Sequence, residues 1–312
     1  MKIVFMGTPE LARVILEALI KAGHEITAVY TQPDRPKGRS GQPVMCPVKE
    51  YALLQGLKVY QPEKIKRPEE VSLLKSIPAD IFVVAAFGQI LSQEILDIPK
   101  YGCINAHGSL LPKLRGAAPI QRAIANGDEK TGMTVMRMDA GMDSGDIILQ
   151  QEIPITENDD EASMYDRLAH LGAELTLEAL VKLESGTATY TKQEPSEVTY
   201  APMLSKEEGH LDFKLPARLL DCKIRGFKEW PTAYTESFGK NLKIYSARVS
   251  EAPEGVTIPD EPGCFVVTKK KLYVTTGDGL LELLEVQPEG KKRMAAMDYQ
   301  RGQHIETGNR IG

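Results

Sequence analysis

Lys2-Ile3-Val4-Phe5-Met6-Gly7-Thr8-Pro9-Glu10 is the stretch from which the fold is read. The apolar run after Lys2 stops at a glycine and reads as a buried strand. Thr8-Pro9-Glu10 then opens a helix, with Pro9 near its first position, where a missing N–H costs nothing and the fixed φ suits the turn. Leu11, Val14, Ile15, Ala18 and Leu19 fall on one face of that helix, and Gly23 ends it. Outward from this unit the rhythm repeats. Ile26 to Tyr30 is a second strand, and Asp80-Ile81-Phe82-Val83-Val84-Ala85-Ala86 a third, apolar on both faces as central parallel strands are. Gly102 to Ala106 is a fourth. Glu161 to Ser185 is the longest helix candidate, with Met164, Leu168, Leu171, Leu175 and Leu180 near helical spacing. Strands alternating with helices predict an open α/β sheet.

After Lys192 the rhythm changes. Gln193-Glu194-Pro195-Ser196-Glu197 is polar and contains a proline, so residues 193–206 are expected to be a linker between a first domain over 1–192 and a second over 207–312. The second shows one helix-like segment, Pro216 to Phe227. Short β-like runs follow at Leu242–Tyr245, Cys264–Thr268, Leu272–Thr276 and Leu280–Leu284, separated by Gly and Pro turns. That pattern predicts a small β-barrel.

Two domains also suit the length of 312 residues. Composition excludes several classes. Apolar residues are 42% and charged residues 26%, ordinary for a globular protein that needs no staples. The net charge of −5 gives no global pull toward nucleic acid. Cys46, Cys103, Cys222 and Cys264 are scattered and never form a CxxC pair, so neither a zinc site nor a disulfide framework is expected, and a reducing compartment is. The apolar start is too short for a signal peptide, and no run of about 18 uncharged apolar residues exists to span a membrane. The cytoplasm is the expected location.

Three segments carry candidate chemistry, once the turn Gly7-Thr8-Pro9-Glu10 is set aside. That turn lacks the glycines of a dinucleotide loop, and no Walker pattern occurs, so neither NAD nor ATP binding is expected. The richest segment runs from Cys103 to Ile120. Asn105 and His107 are two apart at the end of a buried strand, so their side chains share a face at the edge where open α/β sheets bind ligands. Gly108 and Gly116 bracket a loop with Leu110, Leu111 and Pro112, whose leucines, expected to be exposed, suit a flat apolar ligand. Cys103 is expected on the opposite face or in the core and is not cast as a nucleophile. The second segment is Asp139-Ala140-Gly141-Met142-Asp143-Ser144-Gly145-Asp146, after a strand at Thr134–Met138. Its spacing does not match a calcium loop. An Asp that fixes the tautomer of a His is the simpler use. The third is Thr31 to Lys49, with Arg35, Lys37, Arg39 and Lys49 against the single acid Asp34, and with glycines and prolines expected to forbid a regular element. Charge alone does not decide between a functional loop and a solvated one.

At the histidine segment the sequence resembles the folate-dependent formyltransferases. His107-Gly108-Ser109-Leu110-Leu111-Pro112 with Arg115-Gly116 is highly specific to them. Val4–Pro9, Gln32–Pro36, Ile104–Gln121, Met138–Asp146, Leu204–Glu208 and Pro288–Met294 extend the likeness along nearly the whole chain, toward those members that act on charged initiator tRNA. The resemblance implies a Rossmann-like, mostly parallel first domain and an OB-like barrel. It implies transfer of formyl from 10-formyltetrahydrofolate, as co-substrate, to the amino group of methionine on initiator methionyl-tRNA, with no metal. It implies Asn105, His107 and Asp143 as the catalytic trio, Ser109, Leu110, Leu111 and Pro112 as the folate turn, and Arg35, Lys37 and Arg39 as tRNA contacts. A monomer without membrane attachment is expected.

Two other readings stay open. A formyltransferase for a small amine, such as a nucleotide sugar or ribonucleotide, has no obvious need of the basic loop and the extra barrel. A nucleic-acid-binding module without catalysis leaves Asn105, His107 and Asp143 without a purpose. Lys269-Lys270-Lys271 and Lys291-Lys292-Arg293 are basic clusters of the barrel that either meet tRNA or are solvated turns.

Overall fold

The computed structural model describes residues 1–36 and 41–312. In chain order the first elements are β1 (Lys2–Gly7), α1 (Glu10–Lys21), β2 (Glu25–Tyr30), β3 (Arg35–Pro36), β4 (Pro43–Val44), α2 (Pro47–Leu54), β5 (Val59–Tyr60) and α3 (Pro68–Ser76). Then come β6 (Ile81–Ala85), α4 (Gln93–Leu96), β7 (Cys103–His107), α5 (Pro119–Ala125), β8 (Lys130–Arg137), β9 (Ile147–Pro154) and α6 (Glu161–Glu184). Strands β5-β2-β1-β6-β7-β8-β9 form one sheet, parallel from β5 to β7 and antiparallel across β7·β8 and β8·β9. The mostly parallel sheet is as expected; β9 and the short β5 were not foreseen. The chain runs outward from β1 to β2 and β5, then returns to β6 on the other flank of β1. That reversal is the switch point where such sheets open a ligand crevice at their carboxyl ends.

Residues of β1, β6 and β7 are buried throughout apart from Lys2. Val4, Met6, Phe82, Val84 and Tyr30 pack with Leu74, Phe87 and Ile95 in one core cluster. In α1 the fully buried face is Leu11, Ala12, Ile15, Leu16 and Leu19. Val14 and Ala18, assigned to it from spacing, are only half-buried. All five residues expected to face inward from α6 are buried. The turn after β1 is structural: a Cβ on Gly7 would meet Ala12 Cβ at 2.6 Å and Ala85 O at 2.8 Å. The Gln32 amide donates to Thr8 Oγ1 (3.2 Å) and its side-chain nitrogen to Phe87 O (3.0 Å), tying three loops at the switch point.

The basic loop is more regular than its prolines suggested. Arg35 pairs with Val44 in the β3–β4 ribbon, and Pro47 opens α2. Lys49 is committed within the fold, at 2.5 Å from Asp34 and 2.7 Å from Gln61 Oε1.

The two compact units are 1–119 with 130–154 and 163–202, and 120–129 with 155–162 and 203–312. Of the expected linker, residues 193–202 cluster with the first unit, where Thr199 and Ala201 exchange backbone hydrogen bonds with Arg115 and Ala118, and 203–206 cluster with the second. Residues 120–129 and 155–162 cluster with the second unit. That unit's remaining elements are α7 (Ala217–Gly226), β10 (Tyr234–Ser237), β11 (Lys240–Ser250), β12 (Phe265–Val267), β13 (Leu272–Thr275), β14 (Leu280–Pro288), β15 (Met294–Ala295) and α8 (Ala296–Gln303). Its antiparallel sheet has the order β10-β11-β14-β13-β12, with β15 on β14, around Leu220, Ile224, Leu242, Phe265, Val274 and Leu281. The sheet is a curled half-barrel rather than a closed one. The chain after α8 bridges its ends: Phe265 donates to Asn309 O (2.8 Å) and Gly312 to Glu236 O (2.8 Å). In the basic clusters, Lys271 pairs with buried Glu282 at 3.1 Å and Arg293 lies 3.5 Å from the Tyr245 ring centre, while Lys269, Lys270, Lys291 and Lys292 are exposed.

Candidate active site

Asn105 and His107 project from one face of β7 and are 8% and 5% exposed. Asp143 meets them both. Its Oδ1 lies 3.4 Å from Asn105 Nδ2, and its Oδ2 lies 3.7 Å from His107 Nδ1. The three predicted residues thus converge from two segments. The route of Asp143 is indirect. Because β8 is antiparallel to β7, Arg137 lies opposite Ile104, and the loop leaves β8 beside the start of β7. It then doubles back, with Asp143 in the left-handed region at φ 48°. Such a conformation in a non-glycine residue costs about 1–3 kcal/mol and persists only where surroundings enforce it.

Those surroundings are specific. Gly116 N–H donates to Asp143 Oδ2 (2.8 Å). Gln193 Nε2 donates to the carbonyls of Asp143 and Gly145, both at 2.8 Å, while its Oε1 accepts from Arg115 Nε (3.0 Å) and Nη2 (2.7 Å). Asp139 closes the loop on itself by accepting from Gly141 N (3.0 Å) and Ser144 Oγ (2.7 Å).

The tautomer of His107 is set elsewhere than expected. Its Nε2 lies 3.0 Å from Leu114 O. A carbonyl only accepts, so Nε2 carries a hydrogen there. In a neutral ring Nδ1 is then a bare acceptor, facing the carboxylate oxygen of Asp143 across a gap too long for a direct hydrogen bond. Two acceptors that face each other across such a gap suit an N–H donor between them. Leu114, which holds the ring, is itself at φ 57°.

The turn Ser109 to Pro112 departs from expectation. Its leucines were read as an exposed apolar surface, but Leu111 is 3% exposed and Pro112 is buried. Leu111 is fastened at both backbone groups: its N–H donates to Thr134 Oγ1 (3.2 Å) and its carbonyl accepts from Gln150 Nε2 (2.9 Å). Ser109 is fully buried, donating to Lys113 O (2.6 Å) and accepting from Thr134 Oγ1 at its carbonyl (2.6 Å). Leu110 alone is half-buried, beside Gly132, where a Cβ would come within 2.6 Å of it. Of the basic-loop residues, Arg35 is exposed on β3, and Lys37 and Arg39 lie outside the described residues. Cys103 lies two residues back from Asn105 and so on the same face of β7, not the opposite one, but it is buried in the core, its Sγ 3.9 Å from Leu96 O, and burial pushes its thiol up to about 12.

Comparison with known proteins places this geometry. A formyl transferase family model matches residues 1–180, and a formyl transferase C-terminal domain model matches 203–304. A methionyl-tRNA formyltransferase of Agathobacter rectalis is 48% identical over 310 residues, 99% of this chain and 99% of that one. One of Caldanaerobacter subterraneus is 47% identical over 309 residues, again 99% of each chain.

The chain belongs to the methionyl-tRNA formyltransferase family.

Beyond that family, the fold is shared with an N-formyltransferase of Helicobacter canadensis, solved with folinic acid and dTDP-3-aminofucose. That structure superposes with a TM-score of 0.66 at 22% identity, over 92% of this chain and 99% of that one. Within the methionyl-tRNA formyltransferase family, then, the trio identified from the sequence sits on β7 and the β8–β9 loop. Leu114, Gly116, Thr134, Gln150 and Gln193 are the supports that sequence reading missed. Gly116 alone carried a signal, as a glycine beside the motif.

Proposed function

We propose that this chain transfers the formyl group of 10-formyltetrahydrofolate to the amino group of methionine on initiator tRNA. The observation that carries the reading is the convergence of the Asn105 amide, the His107 ring and the Asp143 carboxylate on one face of β7. The acceptor's nitrogen forms a bond to the formyl carbon while that carbon's bond to the folate nitrogen breaks. The amine gives up a proton and the folate nitrogen gains one. The negative charge that builds on the formyl oxygen needs donors: the Asn105 amide supplies one, and His107, whose Nε2 hydrogen is held by Leu114 O, supplies a second only once Nδ1 has taken a proton. One such donor is worth on the order of 10²–10³ in rate. The gap between His107 Nδ1 and Asp143 Oδ2 accepts the amine's N–H and takes its proton, directly or through water.

The folate lies along the turn Ser109-Leu110-Leu111-Pro112. With Leu111 and Pro112 buried, Leu110 and the turn's backbone are what it offers. Arg35, Lys37 and Arg39 meet phosphates of the acceptor end, on a loop that follows β2 at the carboxyl edge of the sheet. No helix among the described residues is long and apolar enough to cross a membrane. We further propose that the protein works as a cytoplasmic monomer. The deciding assay supplies purified protein with 10-formyltetrahydrofolate and charged initiator tRNA beside charged elongator tRNA. Formyl transfer to the initiator species is expected. Transfer to a free amine or amino sugar but to no tRNA refutes the acceptor, and no transfer at all refutes the reaction. Light scattering at working concentration checks the monomer.

A further inference from the structure

We propose that Gln193 is a positioning residue for Asp143: it sets where the carboxylate stands against His107. This rests on the transfer reading above. Gln193 makes four hydrogen bonds to nitrogen and oxygen partners with one side-chain amide, beside a longer contact of its Nε2 with Met136 Sδ at 3.9 Å. Its nitrogen gives both hydrogens to the carbonyls of Asp143 and Gly145, and its oxygen takes both from Arg115. The two sides of that amide hold the two segments that define the site. One is the Asp143 loop, at left-handed φ. The other is the turn that includes Leu114 and Gly116, whose carbonyl and N–H fix His107 Nε2 and Asp143 Oδ2 respectively.

Only a primary amide of this length satisfies both sides. Two carbonyls demand two donors, and a guanidinium edge demands an acceptor. A glutamate keeps the acceptor but turns it on two carbonyl oxygens; a methionine fills the space and offers neither group. The segment is otherwise anchored independently of Gln193: Arg115 N donates to Thr199 O (2.9 Å) and Ala201 N to Arg115 O (2.7 Å). Loss of the side chain therefore loosens the link between loop and turn rather than the turn itself. Displacing a reacting group by about 1 Å costs on the order of 10² in rate.

The test compares Gln193→Met and Gln193→Glu with wild type. Expected is a kcat lower by about 10–100-fold, with KM for folate and for charged tRNA within about two-fold. In an Asp143→Asn background, Gln193→Met should cost less than about two-fold more, because residues acting through one another are not additive. An undiminished cost there, or a rise in KM with kcat intact, overturns the proposal. A second arm needs no activity. In protein labelled at its histidine rings, Gln193→Met should move the His107 resonances and leave His24, His170, His210 and His304 in place. His107 signals identical to wild type overturn the proposal even where both variants fold. Absence of formyl transfer in the wild type overturns the functional reading alone, since the resonance arm still decides the role of Gln193. If Gln193→Met does not fold, Gln193→Glu carries both arms.

Discussion

Replacing Gly116 with alanine tests the support of the site where backbone and chemistry meet. Gly116 sits at φ 120°, and a Cβ there would lie 2.7 Å from Ala201 O and 3.2 Å from Ala201 C. Both neighbours are backbone, so the strand of residues 199–201 has to move. Left-handed backbone in an L-residue costs about 1–2 kcal/mol. The clash threatens the hydrogen bonds of Ala118 N to Ala201 O (3.1 Å) and Ala201 N to Arg115 O (2.7 Å), each worth about 1 kcal/mol. The sum is about 3–4 kcal/mol, against a total stability of about 5–15 kcal/mol, so the variant folds at room temperature. For a domain of this size that is a Tm lower by about 6–16 °C. Gly56→Ala is the control: φ is 70° but nothing lies within 4 Å, so only the backbone cost remains, about 2–8 °C. Activity separates the two further. Gly116 N–H holds Asp143 Oδ2, so Gly116→Ala should also lose on the order of 10² in turnover while Gly56→Ala keeps it. Equal melting losses in the two variants, with Gly116→Ala fully active, would refute the argument that the close approach to Ala201 holds the acid in place.

The other expectations concern the trio and the basic loop. His107→Ala and Asp143→Asn should each lower turnover by on the order of 10²–10³ with Tm little changed; near wild-type rates in folded variants remove these residues from the chemistry. Arg35→Ala, Lys37→Ala and Arg39→Ala together should flatten the log–log salt dependence of tRNA affinity by about one unit per lost phosphate contact, with folate binding intact; an unchanged slope removes the loop from the interface. Lys49, and then Gln61, hold the Asp34 carboxyl below its usual range by hydrogen bonding. A depressed carboxylate stabilises the fold above its unfolded value of about 3.9 and loses that contribution as pH falls through the folded value. The Tm deficit of Lys49→Met should therefore be full near neutrality and shrink in acid below about pH 4; a deficit independent of pH shows that the pair does not stabilise through charge.

What the sequence disclosed and what it hid follow from the range of the forces involved. Strands β1, β2, β6 and β7 were legible because burial on one or both faces forces apolar runs, and α6 because its inner face repeats at helical spacing. Asn105 and His107 were legible for the converse reason: polar residues in a run that the sheet buries must have partners, and period two puts them on one face. β9 was missed because its burial alternates weakly around Gln150 and Gln151; Gln150 donates to Leu111 O, and Gln151 is exposed. Leu111 was misjudged because sequence gives hydrophobicity but not direction; Thr134 and Gln150, distant along the chain, turn it inward. Gln193 was hidden most completely. Polar residues beside a proline read as a linker, and an amide's value lies entirely in what stands on its two sides. Here those sides are Arg115 and the Asp143 loop, 78 and 50 residues away in sequence, so only the folded chain shows that the supposed linker fastens the acid to the histidine's turn.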